Sequence, residues 1–233
     1  MHPGLELEKA SFRYGELWVL VETDLHVPRG GMLIVTGDNG VGKSTLLYLC
    51  AGLVPATSGR VLLDGEVPSV TRPSDLVRRG VRRGFVFQHG GLLANRSALD
   101  NVTLPLAYHA DVLGIAEHDA VRKAREILLE LRVSQGDMHA LPAHLSVGVR
   151  QRVSLARALA LHPNFVFMDD PDAGLDESTK QLVYDRLRVI RDDPEITTVL
   201  TTTDPDLIDF LAVKVAHLEH GRLVPENERS HVA

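Results

Sequence analysis

Cysteine is nearly absent from this sequence: its 233 residues include one, Cys50. A single thiol cannot build a disulfide framework within the chain, and this usage is typical of proteins from a reducing cytosol. Cys50 lies in an apolar stretch, so we expect it to be a small buried hydrophobic residue. The N-terminus, Met1-His-Pro-Gly-Leu-Glu, lacks the basic-then-apolar pattern of a signal sequence.

An excess of positive charge and a long apolar run are absent as well. The 25 lysines and arginines are outnumbered by 31 aspartates and glutamates, which gives a formal net charge of −6. This balance disfavours a nonspecific role on nucleic acid. No run reaches the roughly 18 apolar residues that a membrane-spanning helix needs. We therefore expect no direct membrane insertion, and any link to a membrane must be made through a partner or a surface.

The chain shows no internal repeat and no long linker, and we interpret residues 1–233 as a single domain with two lobes. The first lobe is an α/β core of about residues 1–88 and 161–224. The second is a helical subdomain at about 89–160, and the polar tail 225–233 is predicted to be loose. Hydrophobic periodicity predicts strands over 5–12, 17–27, 32–35, 59–63, 85–88, 164–168 and 197–202, helices over 117–132, 150–161, 177–191 and 206–212, and a final hairpin over 213–223.

Two polar stretches between these elements have their own interpretations. Residues 89–105 are predicted to be a loop, because Gly90, Gly91 and Pro105 break regular structure. Residues 72–83 contain five arginines. They indicate either an anion-binding patch or the solvated face of a helix, and we favour the helix face.

The clearest motif follows the strand over 32–35 and precedes an apolar helix. It fits G-x-x-x-x-G-K-[ST], a phosphate-binding loop in the strand–loop–helix context that such a loop requires. Glycines let the backbone turn tightly and approach an anion, while the free N–H groups and the positive helix end face the phosphates. The alternative is a glycine-rich turn that only links strand to helix. The loop residues are Gly37, Asp38, Asn39, Gly40, Val41, Gly42, Lys43, Ser44 and Thr45.

Side chains of this loop have distinct predicted roles on a nucleoside triphosphate. Lys43 reaches the β- and γ-phosphates, Ser44 binds Mg²⁺, and Thr45 lies beside the α-phosphate. A second constellation, Asp169 and Asp170, follows the predicted strand 164–168. Asp169 is placed to hold Mg²⁺ through water, and Asp170 to orient or deprotonate an attacking water.

Together with four further matches in the same order, these motifs resemble the ATP-binding subunit of ABC transporters over nearly the whole chain. Tyr14, in Phe-Arg-Tyr-Gly, is similar to the aromatic residue that stacks on adenine. Gln88, in Phe-Val-Phe-Gln, is similar to the glutamine that contacts Mg²⁺ and the attacking water. Residues 145–149, Leu-Ser-Val-Gly-Val, stand where the family has its LSGGQ signature, and residues 173–176 match its D-loop.

The resemblance implies an α/β P-loop NTPase fold of ABC type. That fold has a RecA-like parallel-sheet core, an N-terminal antiparallel β subdomain and a helical insertion. It also implies ATP and Mg²⁺ as cofactors, with Lys43, Gln88 and Asp170 as catalytic residues and Ser44, Gln88 and Asp169 at the metal. The implied partners are a transmembrane permease and a second nucleotide-binding subunit, in a homodimer or heterodimer whose facing signature supplies Ser146 and Gly148. The implied location is the cytoplasm, peripheral on the inner face of the cell membrane through the permease.

Within the family, residues 88–93 and 99–106 are similar to the ATPases of lipid-asymmetry (Mla, Mce-linked) systems, with lipoprotein-release ATPases as near rivals. Three motifs depart from the family pattern. Val147 and Val149 replace a glycine and the glutamine of the signature, Asp170 replaces a longer glutamate, and Thr203 stands where the family has its switch histidine. By sequence position, none of the eleven histidines replaces it.

These departures leave two functional hypotheses. The first is an ATPase, slowed by its shorter carboxylate, that drives transport. The second is a nearly inactive ATP-binding partner in an asymmetric pair. An ABC-type protein that works on DNA or ribosomes is disfavoured by the acidic charge. A small-molecule kinase would not need Gln88 and the segments 145–149 and 173–176 in this order.

Overall fold

The computed structural model describes residues 4–225. Within them, the strands are β1 (Leu5–Tyr14), β2 (Leu17–Val27), β3 (Met32–Thr36), β4 (Ser58–Leu63), β5 (Arg83–Val86), β6 (Phe165–Asp169), β7 (Thr197–Thr201), β8 (Lys214–Glu219) and β9 (Arg222–Pro225). The helices are α1 (Lys43–Cys50), α2 (Pro73–Arg78), α3 (Ala98–Tyr108), α4 (Ala110–Leu113), α5 (Glu117–Glu130), α6 (Gln135–His139), α7 (Val147–Leu159), α8 (Glu177–Arg191) and α9 (Pro205–Leu211).

Two sheets organise these strands. A three-stranded antiparallel sheet has the order β2-β1-β4, and a six-stranded sheet has the order β5-β6-β7-β3-β8-β9. In the larger sheet the strands from β5 to β8 pair in parallel, and β9 alone is antiparallel to its neighbour. The carboxyl ends of β3, β5, β6 and β7 therefore lie along one edge, where open parallel sheets bind their ligands.

Both faces of the parallel sheet are covered, which explains why β6 is apolar from Phe165 to Met168. Phe165 and Phe167 point into a core shared with α1 and the antiparallel sheet, whereas Val166 and Met168 join the core formed with the helices of the opposite face. Cys50 belongs to the first core and is fully buried. Burial raises the pKa of its thiol to about 12, so this cysteine is an inert packing residue, as expected.

Helices α3, α5, α6 and α7 lie between β5 and β6 in the chain and pack mainly on one another. Helix α5 has the predicted amphipathic pattern, with Ala120, Ala124, Ile127 and Leu128 on its buried face. Helix α7 also contacts β5, so the helical part is packed against the sheet edge next to the site described below.

The prediction of a loop over 89–105 is wrong for its second half. Helix α3 begins after Ser97, whose side chain accepts a hydrogen bond from the Asp100 backbone while the Asp100 carboxylate accepts one from Ser97. This capping box starts the helix firmly. Pro105 lies inside it, and the helix continues until the His109 N–H donates to the Pro105 carbonyl at 3.2 Å. The stabilised start and the buried apolar face outweigh one missing N–H group.

The arginine-rich stretch is only partly the predicted helix. Residues 73–78 form α2, but Arg83 belongs to β5 and is largely buried, with its guanidinium donating to the Ala51 carbonyl. Burial lowers the pKa of Arg83. The predicted loose tail, 225–233, lies outside the described residues except for Pro225, which ends β9.

Candidate functional site

The glycine-rich loop runs from the end of β3 into α1 and needs glycine at specific positions. Gly37 and Gly42 have φ angles of 147° and 111°, in the region that residues with a Cβ rarely adopt. A Cβ at Gly37 would lie 2.7 Å from the Leu218 carbonyl oxygen, and one at Gly42 would lie 2.7 Å from Val19 Cγ1. The loop is thus wrapped closely around β8 and β2, and its shape depends on these glycines.

Lys43 holds the loop together from its first helical position. Its Nζ donates to the carbonyl oxygens of Gly37 and Asp38 at 2.8 and 3.1 Å, and the residue is 7% exposed. The N-cap residue of α1 is Gly42, which has no side chain, so the first N–H groups of the helix have no capping side chain from it. This concave end combines a buried ammonium with free N–H donors, an arrangement suited to phosphate.

Two adjacent carboxylates lie at the end of β6, which β7 separates in the sheet from β3, the strand that leads into this loop. Asp169 is 2% exposed, and its Oδ1 accepts a hydrogen bond from Thr201 Oγ1 at 2.8 Å. The backbone N–H of Asp170 in turn donates to Thr201 Oγ1 at 3.2 Å. One hydroxyl on β7 therefore fixes the direction of the Asp169 carboxylate and the backbone position of Asp170.

Asp170 has surroundings that favour its protonated form. Burial, followed by the charge of Asp169, raises the pKa of Asp170, and the ammonium of Lys43 opposes that rise. Gln88 Nε2 donates to Asp170 Oδ2 at 3.3 Å. A carboxylate with a raised pKa and a hydrogen bond to an exposed amide is a plausible general base for water.

Gln88 and Asp169 open onto a common cleft of 460 Å³. Burial, and then the charge of Asp169, raises the pKa of Tyr48 in its wall. The cleft joins the loop, the end of β6 and the segment after β5. It is lined by Ser44, Tyr48, Phe87, Gln88, His89, Gly91 and Asp169.

The oxygen donors of the cleft fit a hard divalent cation. Ser44, Gln88 and Asp169, the three predicted metal ligands, all line it. Residues 4–225 contain no group of three histidine, cysteine, aspartate or glutamate side chains that could hold a metal ion. One carboxylate with a hydroxyl and an amide oxygen matches Mg²⁺, which takes few protein ligands and completes its shell with water and phosphate oxygens.

Tyr14 ends β1 and is 51% exposed, with its ring edge-to-face against Phe12 at a centroid distance of 4.8 Å. Its face is accessible to a flat base. The side chain is not part of the lining of the 460 Å³ cleft. The structure thus brings Ser44, Gln88 and Asp169 together on one cleft, and Tyr14 does not line it.

Residues 20–173 match the family model described as ABC transporter. The chain belongs to this family. Among curated relatives, the methionine import ATP-binding protein of Staphylococcus saprophyticus is 34% identical over 209 residues, 90% of this chain and 60% of that protein. The corresponding protein of Photorhabdus laumondii is 37% identical over 214 residues, covering 91% and 61%. The sulfate/thiosulfate import ATP-binding protein 1 of Chromobacterium violaceum is 34% identical over 219 residues, covering 94% and 60%.

The chain thus spans about 60% of the length of these curated relatives. Solved ABC cassettes are matched over nearly their whole length. One, a dimer in a post-hydrolysis state bound to ADP and Pi, has a TM-score of 0.82 at 28% identity, with 94% of this chain and 96% of that chain covered. A dimeric bacterial ABC transporter cassette has a TM-score of 0.83 at 27% identity with the same coverage. The predicted ABC-type P-loop fold is confirmed.

In this ABC cassette the signature segment forms the start of α7. The Ser146 hydroxyl caps the helix by accepting from the Val149 N–H at 3.2 Å. Val147 is 45% exposed and does not crowd its own chain. A Cβ at Gly148 would lie 2.8 Å from Thr179 Cγ2, so glycine is needed there for packing on α8. Ser146 and Gly148 do not line the 460 Å³ cleft, and their predicted role concerns ATP held by another subunit.

The motifs missed Tyr48 and His89 in the cleft lining and Thr201 beside Asp169. Tyr48 lies four residues after Ser44, so helical spacing alone would have placed it on the same face. Thr201 is one of several threonines in β7, and only strand pairing shows that it faces Asp169. His89 follows Gln88 directly but matches no motif, and Thr203, which occupies the switch position, is exposed just beyond β7.

Proposed function

We propose that this chain binds Mg-ATP, hydrolyses the phosphoanhydride bond to its terminal phosphate and thereby powers transport through a separate membrane permease. The observation that carries this proposal is the meeting of Lys43, Asp169 and Asp170 at one sheet edge, where a phosphate loop faces two carboxylates. Closely related proteins are named import ATP-binding proteins, which supports the same activity.

Each group has a defined task. Lys43 and the N–H groups of the loop bind the β- and γ-phosphates, and Thr45 lies at the α-phosphate. Ser44, Gln88 and Asp169 hold Mg²⁺, which neutralises charge on the phosphate oxygens. Asp170 orients the attacking water and accepts its proton, and the raised pKa of this carboxyl, caused mainly by burial, favours that role.

The remaining loop residues and two more distant segments complete nucleotide binding. Asp38, Asn39, Gly40 and Val41 form the turn over the phosphates, and Tyr14 stacks on adenine. Ser146 and Gly148 contact the terminal phosphate held by a second nucleotide-binding subunit. The dimeric state named for two solved cassettes supports such a pair, homodimeric or heterodimeric.

The permease has a candidate docking surface, which we call the apolar groove. It measures 350 Å³, and it lies between the helical part and β5. Tyr108 stands at it with 62% of its surface exposed. The groove is lined by Leu53, Arg83, Gly84, Phe85, Phe87, Leu104, Pro105, Tyr108, His109, Arg157, Ala158 and Leu161.

Phe87 lines both the apolar groove and the 460 Å³ cleft. Its ring packs against Phe85 at a centroid distance of 4.3 Å and lies 6.2 Å from Tyr48. A shift of Gln88 as ATP is bound or split therefore moves a residue that the permease contacts. The helical part, residues 89–160, acts as the lobe that carries this motion, while residues 1–88 and 161–224 form the nucleotide-binding core.

The cargo is chosen by the permease and its associated proteins. The named relatives import methionine and sulfate or thiosulfate, which supports a small soluble nutrient and an inward direction. Lipid cargo has no support from these relatives and stays a prediction. No helix within residues 4–225 is long and apolar enough to cross a membrane. We propose a cytoplasmic location on the inner face of the membrane, through the permease.

The test is Mg-ATP turnover by the membrane complex that co-purifies with the full chain. Lys43→Ala is expected to lower turnover at least about 100-fold, because a preorganised phosphate donor is lost. Asp170→Asn is expected to lower it about 10²- to 10⁴-fold while ATP still binds, because only the base is removed. Lys214→Ala, an exposed lysine on β8, is the matched control and should leave turnover unchanged.

Two results contradict the proposal in different ways. If the wild-type complex binds ATP but does not hydrolyse it, the chain is the nearly inactive partner of an asymmetric pair. If turnover survives Lys43→Ala, another subunit performs the chemistry.

A further inference from the structure

His89 lies in the cleft wall on one side of Asp170 and has no role in the mechanism above. It follows β5, which is the neighbour of β6 in the sheet, and it lines the same cleft as Ser44 and Asp169. On the other side of Asp170, the segment just beyond β7 carries Thr203, a short side chain. The imidazole of this site therefore stands on the β5 side of the carboxylate rather than the β7 side.

The backbone at His89 is held in an unusual conformation. Its φ angle is 62°, in the left-handed region that costs a side-chain-bearing residue free energy and persists only where the surroundings impose it. The following turn supplies that support: the Gly90 N–H donates to the Phe87 carbonyl at 2.9 Å. Arg157 also donates to the carbonyls of Gly90 and Gly91 at 3.2 and 2.8 Å. A buttressed turn thus presents His89 to the cleft.

The ring is available to a ligand. His89 is exposed, and among the described residues its ring has no hydrogen-bond partner. His89 lines the same cleft as Ser44 and Asp169, so its ring N–H can reach the space beside the predicted Mg²⁺ ligands, where the proposed function places the terminal phosphate.

We propose that His89 is a further catalytic residue, which donates a ring N–H to a terminal phosphate oxygen of bound ATP. This inference rests on the proposed ATPase function. A hydrogen bond to a charged group contributes more than one between neutral groups, and this one exists only when a γ-phosphate is present. It holds the phosphate against Asp170 from the side opposite to Thr203.

The test compares the affinities of the full chain for ADP and for a non-hydrolysable ATP analogue, together with Mg-ATP turnover by its membrane complex. His89→Ala is expected to weaken analogue binding or lower kcat about 10-fold or more and to leave ADP affinity unchanged. His89→Gln, which keeps an N–H donor, should recover much of the loss. His118→Ala, an exposed histidine on α5, is the control and should match wild type.

Equal losses of ADP and analogue affinity in His89→Ala would show a structural role and overturn the proposal. So would analogue affinity and kcat that both stay within twofold of wild type, or a His89→Gln variant as impaired as His89→Ala. The binding comparison remains decisive even if the wild-type chain does not hydrolyse ATP. Failure of the proposed ATPase function is thus distinguished from failure of the proposal for His89.

Discussion

Two threonines of β7 illustrate how much the site depends on single hydroxyl groups. Thr201 donates to the buried Asp169 carboxylate at 2.8 Å and accepts from the Asp170 N–H. Thr198, three residues earlier in the same strand, is fully buried, and its hydroxyl oxygen has no hydrogen-bond partner in the described part of the chain. The two side chains have the same shape, but the Thr201 hydroxyl has hydrogen-bond partners, whereas the Thr198 hydroxyl has none among the described residues.

We predict opposite effects of the same near-isosteric change at these positions. Thr201→Val should lower the free energy of unfolding by about 1–3 kcal/mol, because a buried carboxylate oxygen loses its donor. Thr198→Val should raise it by about 1 kcal/mol, because an unsatisfied polar atom is removed from the core. Urea denaturation of both variants measures the difference. Equal destabilisation by the two changes would contradict the assignment of these hydroxyl groups.

Turnover of the Thr201→Val variant tests the site as well as the fold. The hydroxyl orients Asp169 and positions the Asp170 backbone, so its loss should reduce turnover even at temperatures where the variant is fully folded. A misplacement of about 1 Å can cost around 100-fold in rate. Thr198→Val, which touches neither carboxylate, is the control and should hydrolyse ATP at the wild-type rate.

At the scale of secondary-structure elements, the N-terminus of α8 has a strong cap. Asp176 Oδ1 accepts from Ser178 Oγ at 2.6 Å and from the Thr179 N–H at 3.0 Å. These hydrogen bonds, led by that of Ser178, lower the pKa of Asp176 from 3.8 to about 2. Because the folded pKa is depressed, the charged cap stabilises the helix fully above the unfolded pKa, and this stabilisation is lost as pH falls towards about 2.

We therefore predict that Asp176→Asn lowers Tm at neutral pH and that the difference from wild type narrows as the pH falls below about 4. The asparagine side chain still accepts a hydrogen bond from the Thr179 N–H, so the variant loses the negative charge and the contacts with the hydroxyl groups. Thermal unfolding followed by circular dichroism between pH 3 and 7 measures it. Asp209→Asn, an exposed change on α9, is the control. A difference that does not vary with pH would contradict a charged cap.

Element by element, local sequence signals explain which parts of the fold could be predicted. Helix α5 follows from its 3.6-residue periodicity, and β6 from a continuous apolar run. Helix α3 was missed because Pro105 and two glycines outweighed the capping box that starts at Ser97. The bounds of α7 shifted from 150–161 to Val147–Leu159 because Ser146 caps the helix earlier than its alanine-rich part suggests.

The residues of the candidate site also divide into those that the sequence could predict and those that it could not. Groups that act from one contiguous loop, such as Lys43 and Ser44, could be predicted because the loop itself makes the geometry. The meeting of Gln88 with Asp170 was expected only through the family resemblance. Thr201 and His89 could not be predicted, because their approach to Asp169 and Asp170 depends on the strand order β5-β6-β7, which no local pattern contains.

At the scale of the whole molecule, the apolar groove and the 460 Å³ cleft share Phe87 in their linings. Arg83 and Arg157 line the groove with their guanidinium groups turned to backbone carbonyls, and burial lowers the pKa of both. The groove therefore presents mainly apolar surface despite two arginines in its lining. Such a surface suits an apolar segment of the permease, with Tyr108 as an exposed aromatic anchor.

Tyr108→Asp tests this coupling, because a charge in the apolar groove should weaken permease binding without touching the nucleotide. We expect a loss of about 2 kcal/mol, or about 30-fold in the Kd for permease reconstituted in lipid nanodiscs. ATP binding and the basal turnover of the isolated full chain should remain within twofold of wild type, since Tyr108 does not line the cleft. Val189→Asp, an equally exposed apolar position on α8, is the control and should bind permease normally. If both variants bind permease as wild type does, the permease docks elsewhere. Phe87 then no longer explains how ATP hydrolysis is coupled to the permease.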